Sequence, residues 1–317
     1  MNASTLTILL CCSILLVSCD REKERSSDGQ DTPEAARPAG EAQYEKAKEW
    51  AGKAASGTKE DFEQALEWTQ KAARSGFREA QMTLAGLYYY GGKHVERDAA
   101  KARMWFERAA EQGSAEARFF LGEMYAQGDG VERDVDRAVK EWSLAAQKGV
   151  AEAEYRLGLF YMEGGRDLEQ GIARLRSAAE RAQTDAALAL GKLYARGAAS
   201  LGPDMKEAAK WYLCAAEGGS VQGQYVYGLM CLTGSGVPRD EKQGLAWLCL
   251  SAGRDYLPAV RQLSKCYRLG EGVEADASQA DAWAERALEL EEKEKRKPEE
   301  GARREGKTPA GDASSRS

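Results

Sequence analysis

Apolar positions recur with helical spacing from about residue 41 to residue 290, in runs of about a dozen residues separated by polar or glycine-containing turns. One arrangement returns along the chain. Ala80, Ala117, Ala153, Ala186 and Ala259 each open a helix of the form small-x-x-x-Leu/Tyr-small-x-x-Tyr, and Gly223 stands in the same register. Glycine-rich loops follow these helices. Leu121-Gly122-Glu123-Met124-Tyr125, leading to Gly128-Asp129-Gly130-Val131, compares by residue type and spacing with Leu157-Gly158-Leu159-Phe160-Tyr161 and with Leu190-Gly191-Lys192-Leu193-Tyr194. After each loop stands an aspartate, at Asp61, Asp98, Asp134, Asp167, Asp204, Asp240 and Asp276, spaced 37, 36, 33, 37, 36 and 36 residues apart. Self-similarity at such a period marks an array of helical hairpins.

Each repeated position has a physical reason. The aspartates fall where a second helix begins; a carboxylate there accepts the free N–H groups of the first turn and contributes on the order of 1 kcal/mol. That helix runs through Lys101-Ala102, Trp105-Phe106 and Ala109-Ala110 to Gly113, where glycine permits a left-handed C-terminal turn, with related endings at Gly149 and Gly218-Gly219. Small residues such as Ala80, Gly122 and Ala110 allow close helix approach, and Tyr125, Tyr161 and Trp211 fill the space between pairs. The spacing predicts an all-α fold of about seven stacked antiparallel helix pairs over residues 41–290, stabilised by neighbour-to-neighbour stacking.

The run L-G-x-x-Y-x-x-G-x-G-V-x-x-D-x-x-x-A, followed by W-x-x-A-A-x-x-G, closely resembles Sel1-like repeats, relatives of tetratricopeptide repeats. The resemblance covers about four-fifths of the chain. The unit from Ala117 to Gly149 is nearest to the pattern, with Glu141-Trp142 in place of the usual Trp-Tyr pair. The next departs most, with the short loop Gly164-Gly165-Arg166 and Leu175 at an aromatic position. The resemblance implies a right-handed α-solenoid acting as an adaptor, often in signalling complexes or the bacterial cell envelope.

The flanks read differently. Residues 1–19 hold no charged side chain, and the mostly apolar run from Leu6 to Val17 is about twelve residues, short of the ~20 that span a bilayer, so it reads as a signal segment. It ends in Leu16-Val17-Ser18-Cys19, which resembles the bacterial lipobox and implies lipidation of Cys19. No Lys or Arg precedes the apolar run, a departure from the usual basic start. Asp20 resembles an inner-membrane retention signal of enteric lipoproteins. Residues 20–40 read as a disordered linker and 291–317 as a charged disordered tail.

Charge and composition narrow the function classes. A formal net charge of −6 gives no electrostatic case for nucleic acid, which needs a basic surface. Gly301-x-x-x-x-Gly306-Lys307-Thr308 matches the phosphate-loop expression, but neither the preceding strand nor the following helix is present in the pattern. Ser56-Gly57-Thr58-Lys59 is the one Ser-x-x-Lys, without the Ser-Asp-Asn and Lys-Thr-Gly partners of β-lactam enzymes, and reads as a turn. His94 is the single histidine and reads as an exposed loop residue, so no two-histidine metal site forms. Cys214, Cys231, Cys249 and Cys266, 17, 18 and 17 residues apart, read as buried free thiols. Cys231 takes a tyrosine position and Cys266 a leucine position of the repeat.

These readings predict a non-enzymatic protein-interaction scaffold without cofactor or metal, lipid-anchored in the bacterial cell envelope and facing the periplasm or exterior. Its partner is a protein or peptide, and the binding face is open, with Tyr89 and Tyr90 as exposed candidates and Tyr88, aligned with Tyr125, as core. The alternatives are a β-lactam-binding or hydrolysing protein and a component of a secretion or polysaccharide-export assembly.

Overall fold

The computed structural model describes residues 39–55, 57–163, 166–198 and 201–304. Among them run fourteen helices: α1 (Ala39–Ala54), α2 (Lys59–Arg74), α3 (Arg78–Tyr90), α4 (Ala99–Glu111), α5 (Ala115–Gln127), α6 (Val135–Gln147), α7 (Ala151–Met162), α8 (Leu168–Glu180), α9 (Thr184–Arg196), α10 (Met205–Glu217), α11 (Val221–Thr233), α12 (Glu241–Ala252), α13 (Leu257–Leu269) and α14 (Ala277–Arg304). Odd and even helices form seven antiparallel pairs, stacked as successive repeats. The one β-type pairing among the described residues is the bridge between Ala198 and Leu201.

The repeat chemistry is visible bond by bond. Asp98, Asp134, Asp167, Asp204 and Asp240 are N-caps in extended conformation, each accepting a first-turn N–H at 2.9 or 3.0 Å, and Asp276 accepts from Gln279 at 3.0 Å. Asp61 differs. Helix α2 starts one turn earlier, with Thr58 as N-cap, and Asp61 is the third residue of a capping box whose carboxylate accepts the Thr58 N–H at 2.9 Å. The next aspartates also lock the hairpin, since their N–H groups donate back to the carbonyls of Tyr88, Tyr125, Tyr161, Tyr194, Cys231 and Tyr267 at 2.7–2.9 Å.

Packing follows from the size alternation. The register residues Ala80, Ala117, Ala153, Ala186 and Ala259 are fully buried. An odd helix offers a glycine and its even partner fills the space. A Cβ on Gly122 would stand 2.4 Å from the Trp142 ring, one on Gly158 2.7 Å from Leu175, and one on Gly191 2.9 Å from Tyr212.

The chain divides into two compact units, through Leu157 and from Gly158. The first holds a continuous core through Tyr44, Ala72, Leu84, Ala102, Phe106, Leu121 and Met124. In the second, Leu232, Leu248, Val260, Leu263, Cys266 and Leu290 form a core cluster. Each fully buried leucine contributes about 1.5–3 kcal/mol.

Both edges of the array extend past their sequence boundaries. Helix α1 begins at Ala39, inside the stretch read as linker, because Gly40 is buried against Phe77. The segment read as a disordered tail from residue 291 continues α14 as helix to Arg304. There Arg261 of α13 pairs with Glu291 at 2.7 Å and Arg296 with Glu292 at 3.4 Å, contacts that favour helix over a solvated coil.

Candidate functional site

In the first unit, the C-terminal end of α3, the body of α5 and Phe106 of α4 bring together an aromatic cluster. Tyr89 sits 5.0 Å from Tyr90, 5.6 Å from Phe120 and 6.1 Å from Phe106, ring centre to ring centre. Phe106 and Phe120 stack at 4.9 Å, and Phe119 meets Phe120 edge-on at 5.4 Å. Such pairs are worth about 0.5–1.5 kcal/mol beyond area burial, so the patch is rigid before any partner arrives. Its outermost ring is Tyr90, 53% exposed. Tyr89 is half-buried among these rings, contrary to its reading as an exposed residue, because the aromatic doublet Phe119-Phe120 of the next repeat covers it. Tyr88 is half-buried and packs on the core.

One turn beyond Phe120 stands Glu123, 6% exposed, its carboxylate accepting from the guanidinium of Arg156 in α7 at 2.6 Å. Burial pushes the Glu123 carboxyl above the ordinary carboxylate value, and Arg156 opposes that shift. Burial likewise raises the Tyr89 and Tyr90 phenols. Beside the rings, Arg97 donates to the Tyr89 carbonyl at 3.1 Å and pairs with Asp129. The patch therefore combines an exposed tyrosine, stacked rings and two arginine–carboxylate pairs, a composition suited to protein contact.

Other sequence candidates fall elsewhere. Cys19 and Ser56 lie outside the described residues. Gly301 to Arg304 form the last turn of α14, helix where a phosphate loop requires a loop, and Gly306-Lys307-Thr308 lie outside the described residues. His94 is in its loop but half-buried against the Phe62 ring at 5.2 Å, a contact that removes it from the open surface. Of the four cysteines, all free thiols, Cys231 and Cys266 are buried as expected; Cys214 is half-buried and Cys249 is exposed, on the outer face of α12 beside exposed Leu250. Burial, with Glu271 nearby, pushes the Cys266 thiol up to about 11, which makes it inert.

Among the described residues no three His, Cys, Asp or Glu side chains group as metal ligands, and no helix is long and apolar enough to cross a membrane. Pattern reasoning missed Glu123–Arg156 and Phe119-Phe120. The signal available was a charged residue, Glu123, between the buried Gly122 and Met124.

The model of the Sel1 repeat matches residues 39–58, 55–77, 78–114, 115–150, 151–182, 184–220, 221–256 and 257–291. No curated protein matches the chain. Among solved structures, a Sel1 repeat protein from Oxalobacter formigenes is 25% identical with a TM-score of 0.65, covering 77% of this chain and 99% of its own. An immunity protein from Pseudomonas aeruginosa is 20% identical with a TM-score of 0.46, over 70% of this chain and 83% of its own. A protective antigen of uropathogenic Escherichia coli is 24% identical with a TM-score of 0.34, over 88% and 81%. The last two superimpose too loosely to carry a comparison of function. With the family match spanning residues 39–291 almost without a break, the chain belongs to the Sel1 repeat family.

Proposed function

We propose that this chain is a non-catalytic scaffold, tethered to the bacterial envelope through a lipidated Cys19, that captures a protein partner on the aromatic patch around Tyr90. Sel1 repeats mediate protein interactions, and the coarse role of a repeat scaffold follows from the family. The observation that carries the site is the exposed Tyr90, edge-on to Tyr89 and Phe120 over the stacked Phe106–Phe120 pair, beside the Glu123–Arg156 pair. Rigid aromatics lose little conformational entropy on binding, and tyrosine and arginine dominate binding energy at protein interfaces. The anchor rests on the apolar segment ending in Leu16-Val17-Ser18-Cys19 and on the charged linker behind it.

The test is crosslinking in native membranes with mass spectrometry of the captured proteins, using wild type, Cys19→Ala and Tyr90→Ala. A partner enriched with wild type and reduced about tenfold or more in Tyr90→Ala supports the patch. Membrane release of Cys19→Ala supports the tether. An unchanged set of captured proteins in Tyr90→Ala refutes the patch, and full membrane retention of Cys19→Ala refutes the lipid anchor.

A further inference from the structure

Between the first helix pair, α3 and the loop that follows it lies a partly open cavity of about 220 Å³ that none of the scaffold roles uses. Ala47 and Ala51 of α1, Phe62 and Leu66 of α2, and Leu87 and Val95 of the next repeat line it. Its origin is a substitution in the repeat pattern. Eight residues after the repeated aspartates, the five even helices α4 to α12 carry Phe106, Trp142, Leu175, Tyr212 and Leu248, the side chains that fill the space between paired helices, whereas the two end helices carry small residues there, Ala284 eight after Asp276 and Thr69 eight after Asp61. Thr69 lines the cavity, and its hydroxyl donates to the Ala65 carbonyl at 2.8 Å. The tryptophan beside it, Trp68, lies under the ammonium groups of Lys46 and Lys71, 4.6 and 4.4 Å from the ring centre, and is not among the lining residues.

The polar groups of the wall are committed. The Tyr44 hydroxyl bonds Thr83 Oγ1 at 2.7 Å, Thr58 Oγ1 donates to Asp61, and Lys48 pairs with Glu45 at 2.8 Å. What faces a guest inside is therefore hydrocarbon. The exception is the loop at the rim, where Lys93 is exposed without an ion-pair partner among the described residues and the His94 ring adds an N–H donor. An apolar cavity of ~150 Å³ stays dry and takes up benzene, and this one is larger.

We propose that the cavity binds a medium-chain fatty carboxylate, its alkyl chain among the alanines and its head at Lys93 and His94. The unpaired cation at the rim favours a free carboxylate over the uncharged amide or ester of an acyl chain carried by the protein itself. This site is independent of the partner patch, which lies on other side chains.

The test is calorimetric titration of the full chain with hexanoate, octanoate, decanoate and octanol. Saturable binding should tighten about fourfold per added methylene until the cavity is filled. Octanol should bind several-fold more weakly than octanoate, and Lys93→Ala should erase that difference. Thr69→Leu, which supplies the residue type of Leu175 and Leu248 and narrows the cavity, should weaken binding of the longer chains several-fold without lowering the thermal midpoint. Absence of saturable binding, undiminished binding by Thr69→Leu, or equal affinity for octanol and octanoate in wild type would each overturn the proposal. Binding confined to Cys19→Ala would assign the cavity to the protein's own lipid and overturn it as well.

Discussion

Replacing Gly122 by alanine tests whether the glycine-to-ring interlock holds the helix pairs together. The added Cβ would meet the Trp142 ring at 2.4 Å, about 1 Å inside ordinary contact, and the ring is 6% exposed with little room to retreat. Alanine gains about 0.8–1.0 kcal/mol over glycine in a helix interior. Overpacking of a filled core costs about 1–3 kcal/mol, and a rigid indole belongs to the upper half of that range. The net expectation is destabilisation by about 1–2 kcal/mol. Gly86, in the neighbouring helix α3, supplies the internal control, since a Cβ there has no atom within 4 Å. Gly86→Ala should therefore stabilise by about 0.5–1 kcal/mol. Urea unfolding followed by far-ultraviolet circular dichroism gives both shifts, and tryptophan fluorescence reports any movement of the Trp142 ring. Because repeat arrays add nearest-neighbour terms, midpoints are compared at unchanged slope. If Gly122→Ala equals or exceeds wild type while Gly86→Ala shows its gain, the interlock is not a constraint and the argument fails.

Three further outcomes follow from local geometry. Ala182 holds φ 63° at the helix end where Gly113, Gly149 and Gly219 occupy the same left-handed region, so Ala182→Gly should raise the urea midpoint by the equivalent of about 0.5–1 kcal/mol; a loss would refute the strain. Burial raises the folded Glu123 carboxyl above its ordinary value, so its protonated form favours folding, and that contribution is complete below the ordinary carboxylate value and lost as pH rises through the folded one. Wild type measured against Glu123→Gln in urea at a series of pH values should lose ground over that window and stay level above it, and a gain with rising pH would reverse the sign of the argument. Thiol labelling in native buffer should modify Cys249 first and leave Cys266, raised to about 11, unreacted until unfolding; equal rates would refute its burial.

The repeat was legible because it rests on local rules that recur. An aspartate before a helix, a glycine after one and a small residue every turn act within a few residues, so period and element type can be read without knowing what touches what. Asp61 shows where this stops. Its spacing to Asp98 is in step, yet Thr58 three residues earlier supplies the hydroxyl that starts the helix, and only the competition between two caps decides the boundary. The stretch from 291 to 304 departs from its composition for a related reason: the composition is that of a solvated coil, while the pairing of Glu291 with Arg261, thirty residues away, is a tertiary contact.

The candidate sites were less legible because they are departures from the repeat, and a departure has meaning only once the repeat supplies the reference. Phe120 places a ring where the other repeats have Thr83, Arg156, Ala189, Val226 and Gln262, and its effect is felt 31 residues earlier, on Tyr89. Thr69 replaces a filler by a side chain that satisfies itself on Ala65, leaving a void without a buried polar group to betray it. In a compact domain such a hole is lined by residues with no common period and neighbours can collapse into it. In a stacked array the helix spacing is set by the adjoining pairs, so a missing ring is less readily closed and the space persists. The same reasoning ranks the remaining departures: Cys231 for tyrosine keeps its place in the core and its carbonyl contact with Asp240, whereas Thr69 gives up volume that nothing else in the pair restores.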